Sequence, residues 1–222
     1  MAWFACLGAG GGGSAADPVF TEEVIVDNSS AASSFTFDED YHDYDFVKIT
    51  YTNSDNSNTE TVYVTPNALD AFFDVAQRFT VNFYATNVYA TYSQSISGST
   101  ITWSRTNQRT CNITEIKGVT CTNYTVAETE VYKASALSGT AAAITSQASL
   151  FGYDYLFVVT NSSDRTEVVS CNSCYSMKNF TGDARIGCNG YNNAGSVVTV
   201  TANGMTAWKY YYVGGIKFTA AS

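Results

Sequence analysis

Tyr44-Asp45-Phe46-Val47-Lys48-Ile49-Thr50, running into Asn53-Ser54, decides how this chain is read, because it is written a second time. The second copy is Tyr153-Asp154-Tyr155-Leu156-Phe157-Val158-Val159, running into Asn161-Ser162. Each is a string of aromatic and β-branched residues followed by turn formers, the signature of a strand and its exit. Two more pairs follow in the same order. Ile101-Thr102-Trp103-Ser104-Arg105 is echoed by Thr206-Ala207-Trp208-Lys209-Tyr210, and Ile116-Lys117-Gly118-Val119 by Val213-Gly214-Gly215-Ile216. Repeats of half a chain each are complete modules, since solenoid repeats are much shorter and cannot stand alone. The expectation is two tandem modules over 19–121 and 122–222, each closing its own hydrophobic interior. The join from Thr122 to Ala127 has no Gly or Pro hinge, so limited swing is expected between them.

Composition points the same way. Apolar residues make up 45% of the chain, enough for a packed core, while charged residues make up 14%. Tyr (16) and Phe (13) are abundant and Pro (2) is scarce. Val, Thr, Tyr and Phe suit a pleated, half-buried surface, and the straight-chain helix formers are few. The fold class expected is all-β, with two internally duplicated β-sandwiches of jelly-roll type.

Strand signals run through both halves. Phe46 to Tyr51 and Glu60 to Val64 form a hairpin across the polar run Asn53 to Asn58. Phe79, Val81 and Phe83 alternate onto one face. Ser97-Gly98-Ser99 turns Tyr89–Ile96 back onto Ile101–Trp103. In the second half, Ser196–Thr201 and Trp208–Val213 are strands joined across Asn203-Gly204. One stretch breaks the pattern. Thr65 is a helix cap, Pro66 sits at the first helical position, and Leu69, Phe72, Phe73 and Ala76 recur at helical spacing. A short surface helix covering the sandwich edge is expected there.

The search for chemistry excludes more than it finds. With 20 acidic against 11 basic residues and a net charge of −9, no basic cluster serves nucleic acid. No run reaches the roughly 18 apolar residues of a membrane span, so no membrane insertion is expected. The one histidine, His42, lies among Asp38, Glu39, Asp40 and Asp43, whose charges favour imidazolium over a neutral base. Asp70 with Asp74, or Glu128 with Glu130, are the carboxylate pairs a glycosidase would need, but each fits a solvated face equally well. Asp38, Asp40 and Asp43 lack the glycine and closing glutamate of a calcium loop. Cys171 and Cys174 have metal spacing without a second pair, and Cys111 and Cys121 are placed to face each other across strands, although free buried thiols are the simpler reading. The expectation is therefore no enzyme, no catalytic residue, no metal and no cofactor.

Aromatic residues are the remaining candidates for contact. Tyr89, Tyr92, Tyr191, Tyr210 and Tyr212 are read as binding or subunit-contact side chains, because tyrosine offers large contact area at low entropic cost. Trp103 and Trp208 occupy matching places and are read as core. In the last strand both faces are aromatic, so the outer one is expected to meet a neighbour, either the other module or another subunit. Ahead of the first module, residues 1–18 carry the apolar Met1 to Leu7, then Gly10 to Gly13 in a flexible tether.

The Trp3-Phe4 leader with its glycine run, the Tyr-Asp strands and the closing Tyr211-Tyr212-Val213-Gly214-Gly215-Ile216-Lys217-Phe218 together resemble small structural proteins of tailed bacteriophages, of the appendage, decoration or fibre type. That resemblance implies a virion protein, assembled in the host cytoplasm and docked through Trp3 and Phe4 on capsid or tail. Other virion proteins would be its partners, it would be a homo-oligomer with trimers favoured, and it would display its modules outward, with host-surface glycan as a possible ligand. The alternative is a secreted or cell-surface carbohydrate-binding or adhesin module pair from a bacterium.

Overall fold

Along Phe46–Asn53 buried and half-buried residues alternate: Val47, Ile49 and Tyr51 point into one interior while Phe46 points into another. A strand buried on both faces must lie between two layers, and the fold is built around that requirement. The computed structural model describes residues 17–83, 88–133, 144–146, 153–162, 165–171, 198–200 and 209–221. The strands are β1 (Phe20–Asp27), β2 (Ser34–Thr36), β3 (Phe46–Asn53), β4 (Thr59–Val64), β5 (Phe79–Phe83), β6 (Val88–Ser97), β7 (Thr100–Arg109), β8 (Cys111–Cys121), β9 (Tyr124–Lys133), β10 (Ile144–Ser146), β11 (Tyr155–Ser162), β12 (Arg165–Cys171), β13 (Val198–Val200) and β14 (Lys209–Ala220). The chain is all-β, in antiparallel sheets, with one short α-helix, α1 (Pro66–Ala76), among the described residues.

The first sheet has the order β1-β8-β3-β4 and the second β2-β7-β6-β5. Between them lies the larger core. Ile25, Val47, Ile49, Ile113 and Ile116 come from the first sheet, and Phe35, Phe79, Val81, Tyr92 and Trp103 from the second. Trp103 is its centre, with rings of Phe35, Phe37, Phe73, Phe79 and Tyr92 all within 6.3 Å of its own. The hairpin at Gly98 forms as its sequence predicts: Ser97 pairs with Thr100, and Gly98 takes the positive φ of 63° that the turn demands.

The third sheet, β12-β11-β14-β9, repeats the first. β9, β14, β11 and β12 stand in the order of β1, β8, β3 and β4, each at its corresponding place in the chain. The register matches too. Phe46 faces Val119 and Val47 faces Gly118 in one, Tyr155 faces Ile216 and Leu156 faces Gly215 in the other. β10 pairs with β13 much as β2 pairs with β7.

Two expectations need correction. The halves do not keep separate interiors among the described residues. Phe46, Val119 and Phe20 on the outer face of the first sheet pack against Tyr155, Phe157, Ile216 and Phe218 of the third, and Tyr212 of β14 enters the larger core. The physical reason is the aromatic outer face itself, which would lose the benefit of burial if it stayed in water. Helix α1 keeps Asn67 and Asp74 at the surface, but it does more than cover an edge. Pro66, Ala68, Leu69, Ala71, Phe72 and Val75 are all buried, because both the large core and β11 and β14 pack against it. The Asn203-Gly204 turn and Trp208 lie outside the described residues.

Candidate functional site

Helix α1 is where chemistry-bearing side chains gather. Thr65 sits in extended conformation before it, its Oγ1 accepting the Ala68 amide at 3.2 Å, with Pro66 supplying the preset φ of the first turn. Gln77 ends it in the left-handed region, φ 56°. Asn67, Asp70 and Asp74, spaced three and four apart, form one polar stripe along its side. Asn67 and Asp74 are engaged from β9, and Asp70 from the turn at Tyr41–Asp43.

At the helix start, Glu128 of β9 reaches across from the third sheet. Its carboxylate accepts from the Thr65 hydroxyl at 2.8 Å, the Asn67 amide at 2.9 Å and the Tyr212 hydroxyl at 2.8 Å. Burial raises the pKa of Glu128; its three donors pull the other way without cancelling the shift, and the charge of Asp70 adds to the rise. Burial, reinforced by the same contact, holds the Tyr212 phenol well above the usual range. At the far end, Lys133 of β9 meets Asp74 at 2.6 Å.

Midway, Asp70 joins the turn at Tyr41–Asp43, one turn of 3-10 helix capped by Asp40. His42 stands between the two carboxylates, Nδ1 at 2.6 Å from Asp40 Oδ1 and Nε2 at 2.9 Å from Asp70 Oδ2. Burial works to lower its pKa, but the hydrogen bonds and charges of Asp70 and Asp40 outweigh that, and the net shift is upward. Tyr41, fully buried, donates to Asp70 at 2.8 Å and lies 4.3 Å from the His42 ring in a stacked arrangement. Its hydroxyl also meets Gln94 Oε1 at 3.3 Å, the oxygen that accepts from the Trp103 indole at 2.8 Å.

A second arrangement occurs twice. The ring of Tyr44 covers Gly118 so closely that a Cβ there would overlap it, and the ring of Tyr153 covers Gly215 in the same way, 2.6 Å from where a Cβ would stand. Next in sequence, Asp45 accepts the Cys121 amide at 2.7 Å and Asp154 accepts the Phe218 amide at 2.8 Å. In each copy the tyrosine locks a close approach and the aspartate satisfies an amide near the end of the neighbouring paired strand, β8 or β14. Tyr44 additionally donates toward Glu23 at 3.1 Å and Glu39 at 3.0 Å.

The candidates from sequence are thus scattered. Tyr89 is half-buried on β6, with Asn107 3.5 Å from its hydroxyl. Tyr92 and Tyr212 are corrected from surface contacts to interior residues: both are fully buried, Tyr92 accepting the Ile113 amide and Tyr212 bound to Glu128. Trp3, Phe4 and Tyr191 lie outside the described residues, as does the side chain of Tyr210. Asp70 and Asp74 are engaged by different basic side chains, His42 and Lys133 respectively. Cys111 and Cys121 do not face each other: they are free thiols at opposite ends of β8.

What sequence reasoning missed was Glu128 as a half-buried anchor. The signal was available, because alternation in Tyr124-Thr125-Val126-Ala127-Glu128 puts this carboxylate on the apolar face of Tyr124 and Val126. Among the described residues no group of three or more His, Cys, Asp or Glu is arranged to hold a metal ion, and no helix is long and apolar enough to cross a membrane. What the α1 stripe can do is fasten: it ties the turn before β3, the helix and the third sheet together. No family model, curated protein or solved structure matches this chain.

Proposed function

We propose that this is a non-catalytic structural protein of a tailed-bacteriophage virion, docked on capsid or tail through its amino-terminal arm and displaying two sandwich modules of jelly-roll type. The observation that carries the reading is that the duplicated feature is a fastening. Tyr44 over Gly118 and Tyr153 over Gly215, each followed by an aspartate-to-amide bond, are devices for rigidity. The α1 stripe adds a second set of ties, with Asp70 engaged by Tyr41 and His42 and Asp74 by Lys133. Such a body suits display on a particle, where stiffness transmits position and reactive groups are not needed. Trp3 and Phe4 serve as the docking side chains, the body assembles as a homo-oligomer, and a host-surface glycan is the ligand class for whatever outer aromatic surface remains.

Deletion of residues 1–16 tests the docking arm. The truncated chain should keep its β-rich circular dichroism and cooperative unfolding yet be absent from purified particles. Undiminished incorporation defeats the docking role, and glycan binding by a free monomer with a cleaved leader favours the secreted alternative.

A further inference from the structure

Both ring nitrogens of His42 are aimed at groups that can only accept. A carboxylate has no proton to give at neutral pH, and neutral imidazole carries one N–H and one bare lone pair. If His42 were neutral, one of its two contacts would set a lone pair against carboxylate oxygens. Only imidazolium satisfies Nδ1 against Asp40 and Nε2 against Asp70 together. The two carboxylates belong to different elements, Asp40 to the loop that caps the turn and Asp70 to helix α1. Those are the ionisable groups meeting the ring edge. Its face meets Tyr41, whose hydroxyl shares Asp70.

The position of this bridge gives it leverage. The turn Tyr41–Asp43 leads straight into Tyr44, which covers Gly118, and Asp45, which holds the Cys121 amide. The corresponding Tyr153 and Asp154 of the second copy have no histidine before them, since the chain contains only His42. Whatever His42 does acts on one copy of the repeated fastening.

We propose that His42 is a proton-operated pin. As imidazolium it fastens the Tyr41–Asp43 turn to helix α1, and on losing its proton it releases one carboxylate and frees the turn. The raised affinity of His42 for its proton agrees with this geometry. The release therefore occurs on the alkaline side of ordinary histidine titration, about pH 6.5, and the pinned state holds below it.

Because there is one histidine, its ring signals in the full-length protein need no assignment. Proton–nitrogen correlation spectra should show both ring nitrogens protonated at pH 6.5 and a midpoint above the ordinary histidine value. Asp70→Asn and Asp40→Asn should each lower the proton affinity by roughly tenfold, one pKa unit. Hydrogen exchange reads the release itself. The Asp43 and Tyr44 amides, which donate to Asp40 and Tyr41 carbonyls, should lose protection above the wild-type midpoint, while the Cys121 amide serves as internal reference. In the Asp70→Asn chain that loss should move to lower pH along with the midpoint. A midpoint at or below the ordinary value, or turn amides whose protection ignores the titration, would overturn the proposal.

Discussion

The phenol ring of Tyr44 rests on the bare backbone of Gly118, with no room between them for a Cβ. Neither Gly118 nor Gly215 has a positive φ, so it is closeness of approach, not backbone freedom, that requires glycine here. Gly118→Ala and Gly215→Ala should each push the covering tyrosine aside at a loss of about 1–3 kcal/mol, the usual penalty of overpacking. Urea denaturation measures it. Unchanged midpoints for both variants would contradict the stacking.

Removing the anchor of the third sheet should be felt at the helix. Glu128→Ala leaves the Thr65 hydroxyl, the Asn67 amide and the Tyr212 hydroxyl without their acceptor, and a loss of about 1–3 kcal/mol is expected from the orphaned groups. The pH dependence has a definite sign. Burial raises the Glu128 pKa, so the folded state prefers its protonated form. The stability this group confers is greatest below the ordinary carboxylate value and declines as pH rises from there through the raised one. Glu128→Gln should flatten that part of the stability profile, as thermal melts between pH 4 and 8 will show.

Asp45 offers a narrower version of the same experiment. Burial raises its pKa, and the Cys121 amide pulls in the opposite direction. Asp45→Ala should expose that amide as an unmet donor and cost about 1–2 kcal/mol. The Cys121 amide should then lose protection in hydrogen exchange ahead of its neighbours in β8. Retained protection would mean that another group supplies the acceptor.

Trp103 fills the middle of the larger core and is fully buried. Trp103→Ala should cost about 3–5 kcal/mol, enough to unfold a domain of ordinary stability. Trp103→Phe should retain most of the packing while losing the hydrogen bond to Gln94. Its midpoint in urea should fall between those of wild type and Trp103→Ala.

Burial pushes the Cys111 thiol up to about 12, with the charge of Glu60 assisting. It should therefore resist alkylation at pH 8 in the native protein and react fully in urea, because the thiolate is the reacting species. Peptide mass spectrometry after brief labelling separates it from the other cysteines. Rapid native labelling of Cys111 would contradict its placement.

Much of the fold is legible in the chain because its cues are local. Thr65-Pro66 announces the helix, Gly98 announces a hairpin, and the Phe46 to Tyr51 alternation announces a strand with two useful faces. The site is less legible. His42 has one neighbour in sequence, Asp40, and one that folding brings from the middle of α1. Glu128 meets three donors that lie far from it along the chain. No periodicity encodes such meetings.

What the amino-acid sequence determined alone was the duplication, the strand-forming character and the helix, since these rest on backbone preference and on the order of recurring segments. Tertiary structure decided that the two copies of the sheet share a buried face, that one side of α1 is covered by both the larger core and the third sheet, and that Tyr92 and Tyr212 are interior. Burial is a property of what covers a residue. An apolar strand face must find cover, but nothing in its own sequence says which surface will provide it.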